Sequence, residues 1–168
     1  MKWHSKAAGV REHAPLLLAD LATWRRWKGQ DEAQVAFDAL DGVVGVVDVD
    51  GRPLVPSEYD GGIFDIGVGD NEVVLVQRYD GAGADDLAEL RKQLAKRALD
   101  EYAAGELVIT DGVVIGDSWN TGAKLATAPK SGKVTGVGFY VPLPAGSYVV
   151  LEGRDDTAAW YRLRRPGR

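Results

Sequence analysis

The chain contains no cysteine, only two histidines and a single methionine among its 168 residues. The first absence excludes disulfides, thiolate nucleophiles and thiolate metal sites. The second leaves His4 and His13 as the whole supply of side chains that ordinarily titrate near neutral pH. Long apolar runs are missing too: nothing approaches the roughly 20 residues of a membrane-spanning helix. The best run in "MKWHSKAAGVREHAPLLLADL", about five residues, is too short for the apolar region of a secretory signal. These absences lead to the expectation of a cytoplasmic protein with no membrane partner.

What is present is ordinary in amount and uneven in distribution. A 45% hydrophobic content over 168 residues suits one domain spanning 1–168, large enough to bury a core without staples. The net charge is −5. Gln30 to Leu90, however, holds fifteen acidic residues against Arg52 and Arg78, a formal −13, and the remainder is correspondingly basic. The stretch "EYDGGIFDIGVGDNE" contributes Glu58, Asp60, Asp65, Asp70 and Glu72 with no cation among them. Such a middle repels phosphates, which argues against a nucleic-acid partner there, and it suits docking onto something basic.

Periodicity predicts α+β architecture. "APLLLADLATWRRWKG" reads as a short helix, with Leu17, Leu21 and Trp24 three to four apart and Gly29 as its stop. "DEAQVAFDALDG" reads as a second. "DDLAELRKQLAKRALDEYAAG" reads as the main one, with Asp86 and Glu89 as a capping pair, Leu87, Leu90, Leu94 and Ala98 on one face, and Gly105 at its end. Hairpins are expected at Asp50-Gly51, within "IFDIGVGDNEVVLVQRY", and at Asp111-Gly112. From Lys133 a three-strand meander follows, with turns at Pro144-Ala145-Gly146 and near Asp155-Asp156. The expected fold is an antiparallel sheet of hairpins and a C-terminal meander, with two or three helices packed on it.

Motifs that carry chemistry are absent or incomplete. "DVDG" at Asp48 to Gly51 begins like a calcium loop, but counting from Asp48 puts glycine at position 4 rather than 6 and Tyr59 at position 12 where glutamate is needed. "GVGDNE", "GAGADD" and "GVGF" each lack the third glycine of a dinucleotide fingerprint. No G-x-S-x-G elbow occurs. No cofactor, metal site or catalytic residue is therefore expected. His4 and His13 with nearby carboxylates define a less favoured alternative, a small hydrolase. Among the aromatics, Trp24 suits the core, and Trp119 in "GDSWNTG" is the candidate exposed anchor.

Seven short stretches, in order, carry a resemblance: "KWHS", "PLLL", "WKG", "ALDGVVGVVDV", "LVQRY", "GELVITD" and "PLPAGSYVV". Together they resemble the polymorphic-toxin immunity protein family numbered 21. The resemblance implies a small cytosolic antidote that binds and occludes a bacterial toxin, with no reaction and no cofactor. Many such toxins are nucleases with basic grooves, which an acidic surface can occupy in place of phosphates. The residues expected at that interface are Asp48, Asp50, Glu58, Tyr59, Asp60, Asp65, Asp70, Glu72 and Trp119. A noncatalytic module of a phage or secretion assembly is the other alternative.

Overall fold

The computed structural model describes residues 1–5, 16–39, 45–57, 63–79, 83–125, 129–134 and 138–167. Its first half runs β1 (Lys2–Ser5), β2 (Leu16–Asp20), α1 (Leu21–Arg25), α2 (Gln30–Asp38), β3 (Val47–Asp48), β4 (Pro53–Pro56), β5 (Ile63–Val68) and β6 (Glu72–Arg78). Then come α3 (Ala84–Lys96), β7 (Tyr102–Ile109), β8 (Val113–Asp117), a 3-10 turn (Gly122–Leu125), β9 (Gly132–Val134), β10 (Gly138–Val141), β11 (Gly146–Arg154) and β12 (Ala158–Arg164). None of these helices is long and apolar enough to cross a membrane.

The α+β class is as the sequence predicts, but there are two sheets where it suggested one. The first has the order β1-β5-β6-β12-β11-β7 and the second β3-β4-β2-β8-β10-β9, and every pairing is antiparallel. They meet face to face over a core that takes Leu16, Leu18, Val113 and Ile115 from the second sheet and Val73, Leu75, Tyr148, Tyr161 and Leu163 from the first. Helix α3 covers the outer face of the first sheet, setting Leu87, Leu90 and Leu94 on Val74, Val76 and Trp160. Helices α1 and α2 cover the second, where Trp24, Trp27, Ala33 and Ala36 pack on Leu17, Ala19 and Val114. The order of layers is helix, sheet, sheet, helix.

Both sheets are therefore buried on both faces along their middle strands, and this explains where periodicity misleads. Leu16–Asp20, expected as the start of a helix, is strand β2: all five residues are buried, with alternate side chains sent to opposite layers. A doubly buried strand has no polar alternation and reads like a helix until something ends it. Here Asp20 ends it. Its carboxylate accepts from the Ala22 N–H at 3.0 Å and so caps α1.

The same carboxylate corrects a second expectation. Asp20 also accepts from the Thr110 N–H at 2.8 Å, the Thr110 hydroxyl at 2.8 Å and the Asp111 N–H at 3.2 Å. Asp111-Gly112 is consequently no hairpin: β7 pairs with β11 in the first sheet and β8 with β2 and β10 in the second. Pro144-Ala145-Gly146 likewise carries the chain from β10 to β11, between sheets. The main helix stops at Lys96 with Arg97 left-handed, so 102–104 are strand and Gly105 lies within β7 beside a bulge. The helix is capped by Asp86 reaching back to the Gly83 N–H at 3.0 Å, while Glu89 pairs instead with Lys92 at 3.1 Å. The Asp50-Gly51 hairpin forms as expected, with φ of 53° and 72° that suit a mirror-image turn. So do the β5–β6 hairpin and the β11–β12 turn, where Asp155 accepts from the Thr157 and Ala158 N–H groups.

Trp160, 1% exposed, lies flat over Gly153 of the neighbouring strand, where an added Cβ would sit 2.4 Å from the indole ring. Gly153→Ala must push the ring into α3, and overpacking of this kind costs about 1–3 kcal/mol. Chemical denaturation monitored by tryptophan fluorescence is expected to show that loss.

Candidate functional site

The structure splits the acidic residues of the middle third into two groups. Asp65 points from β5 toward α3, is 1% exposed, and meets Arg91 at 2.7 Å. It therefore lies inside the fold and not on the exposed surface expected of it. Glu72 is largely buried and lies 3.2 Å from Arg162 and 3.3 Å from Arg97. Two of the five acids in that stretch are thus paired with arginines distant along the chain. Asp70 stays exposed on the β5–β6 turn, within a cleft that also holds Lys2, Arg97, Arg164 and Arg165. Glu58, Tyr59, Asp60 and His13 lie outside the described residues.

Asp48 and Asp50 belong elsewhere, on a hairpin bolted to α2. Helix α2 buries Glu32, Ala33 and Ala36 and leaves Asp31, Gln34, Val35 and Asp38 exposed. Those four positions follow the i, i+3, i+4, i+7 spacing of a single helix face. Val35 is 54% exposed in its middle, and the Gln34 amide donates to Asp38 at 2.7 Å. Arg52 supplies the bolt. Its guanidinium donates to both oxygens of Glu32, at 2.7 and 3.1 Å, and to the carbonyls of Arg26 and Val49 at 3.1 and 3.0 Å. It also lies over the Trp27 ring at 6.0 Å.

Electrostatics at the bolt follow from this geometry. Burial alone would raise the Glu32 carboxyl, but the Arg52 hydrogen bonds, the Lys28 N–H and the Arg52 charge outweigh it and hold the group below its ordinary range. Hydrogen bonding to Glu32 in turn raises Arg52 against its own burial, with Coulombic help from Glu32, Asp50 and Asp48. The lone arginine of this segment is thereby consumed internally. Asp48, whose carboxylate accepts from the Gly51 N–H at 2.7 Å, remains exposed, and the Asp50 side chain is 80% exposed although 3.6 Å from Arg52.

Trp119 adjoins the same region. Its carbonyl would lie 2.8 Å from a Cβ placed on Gly29, the residue that precedes α2 at φ 92°. The Trp119 N–H donates to Asp117 at 2.8 Å, the Trp27 indole donates to the Ser118 carbonyl at 2.7 Å, and Trp119 itself is 38% exposed. Asp31, Val35 and Asp38 are exposed on α2, and Asp48 and Asp50 on the hairpin that Arg52 ties to it through Glu32, with Trp119 by the start of α2. Of these, Asp31, Val35 and Asp38 were missed, although "DEAQVAFDALDG" carries their spacing openly.

His4, the describable member of the histidine pair, is half-buried on β1 with its ring 4.9 Å from Phe139. Among the described residues no three His, Asp or Glu side chains converge as metal ligands. No family model, curated protein or solved structure matches the chain.

Proposed function

We propose that this chain is a binding protein of the toxin-immunity kind, which lays the α2 and β3–β4 corner against a basic protein surface and occludes it. The observation that supports the reading best is the way the fold uses Arg52. Arg52 faces inward onto Glu32, while Asp31, Asp38, Asp48 and Asp50 stay exposed, as does Val35 on α2. Four carboxylates raise the rate of encounter with a basic groove, and the apolar contact gives a docked complex something to exclude water around. Glu72 and Asp65 drop out of that surface, having structural partners.

The test uses a purified basic toxin partner and the variant Asp31→Asn/Asp38→Asn/Asp48→Asn/Asp50→Asn. Its association rate is expected to fall about tenfold or more at low salt, with the wild-type advantage shrinking as salt rises. An unchanged rate would remove the acidic corner from the mechanism. The assembly-module alternative draws on a different observation: Tyr102 and Val108 are 73% and 57% exposed on β7, the last strand of its sheet. Self-association that Val108→Lys abolishes would favour it.

A further inference from the structure

The β5–β6 turn, strand β1, the C-terminal end of α3 and the residues after β12, none of them part of the acidic corner, enclose an open cleft of about 1010 Å³. We infer that this cleft is a site for a compact polyanion of the pyrophosphate class. Its charged walls are Lys2, Arg97, Arg164 and Arg165 against Asp70 and Glu72.

The two carboxylates do not offset the four cations: Glu72 and Arg97 answer each other, which leaves Lys2, Arg164 and Arg165 against Asp70. Arg162, fully buried beneath it, lies 3.2 Å from its carboxylate, and Arg97 lies 3.3 Å from the same oxygen. Arg164 stands directly opposite Glu72 in the β6–β12 register, yet among the described residues neither it nor Lys2 has a carboxylate partner. Arg165 is held in place by its N–H on the Asn71 carbonyl at 3.1 Å and by its guanidinium on the Ala145 carbonyl at 3.1 Å. A fixed cation loses less freedom on meeting an anion than a free one.

Arg97 ends α3 at φ 55°, ψ 40° as a left-handed cap, and its side chain, 3.3 Å from Glu72, borders the cleft. The described walls carry no aromatic ring on which a nucleobase could stack. The ligand chemistry favoured is therefore phosphate charge itself, in a group with two phosphoryl units to span the cations, and not a base or an apolar body.

Isothermal titration of the full chain with pyrophosphate tests this. One saturable site is expected, tighter for pyrophosphate than for inorganic phosphate. Arg164→Gln and Lys2→Gln should each weaken it about fivefold, the worth of one close charge pair in water, and Asp70→Asn should strengthen it. Asp48→Asn/Asp50→Asn should leave it unchanged, which separates this site from the acidic corner. Absence of saturable binding to the wild type, or affinity indifferent to Lys2, Arg164 and Asp70, would overturn the inference. Lys2 is exposed, so its variant reports on the cleft even if Arg164→Gln perturbs the fold.

Discussion

Arg162→Ala is expected to destabilise the protein by about 4 kcal/mol, the cost of removing one partner from a buried ion network. Arg162 has no exposed surface, and all three of its guanidinium nitrogens donate. Nε donates to both oxygens of Glu101, at 2.7 and 3.0 Å, Nη1 to Glu72 at 3.2 Å, and Nη2 to the Leu94 carbonyl at 2.9 Å. That last contact gives a carbonyl in the final turn of α3, which also accepts from the Arg97 N–H at 3.2 Å, a second donor. One side chain on β12 therefore joins β6, the end of α3 and the segment leading into β7. Its loss leaves Glu101 and Glu72, with side chains 8% and 13% exposed, without the cation they share, and among the described residues leaves Arg97 as the ion-pair partner of Glu72. Arg162→Lys is expected to recover little, because a point charge cannot serve three acceptors in a fixed plane. Urea denaturation of the two variants checks both statements, and a loss below about 1 kcal/mol for alanine would contradict them.

The second large effect belongs to the Arg52–Glu32 bolt, whose side chains are 5% and 8% exposed. Arg52→Met leaves Glu32 charged in the interior and should cost about 3 kcal/mol at neutral pH. Because the folded protein holds Glu32 below its ordinary 4.5, its charged form adds stability that is present above that value. The contribution disappears as pH falls through the lowered folded value. Wild type and Glu32→Gln should therefore differ most near neutral pH and converge in acid, as thermal melts at a series of pH values would show. The bolt also aligns the β3–β4 hairpin with α2, so Arg52→Met should weaken partner binding although Arg52 is not on the surface.

Several local signals in the sequence carry through to the structure. The Asp50-Gly51 turn, the β5–β6 hairpin, the leucine face of α3 and the Asp155 turn all follow from residues within a few positions of one another. What was not legible is everything decided by distant pairing. Strand β2 is a strand because β4 and β8 flank it and a helix layer covers it. Asp111-Gly112 changes sheets because Asp20, some 90 positions earlier, holds it. The acidic stretch seemed unbalanced because its arginines arrive from α3 and β12. For the candidate site, the charge excess was visible and its partition was not. Asp48 and Asp50 are exposed, Asp65 is buried, and the exposure of Asp31, Val35 and Asp38 depends on which face α2 turns to the second sheet.

The measurement that bears most directly on the proposed function is inhibition of a basic toxin's activity by the wild-type protein and by the Asp31/Asp38/Asp48/Asp50 asparagine variant, side by side at two salt concentrations. If the acidic corner is the docking face, the variant stays folded, inhibits about tenfold less well at low salt, and approaches the wild type at high salt, where surface charge is screened. Equal inhibition by the two proteins at low salt would contradict that account and move the interface elsewhere on the molecule.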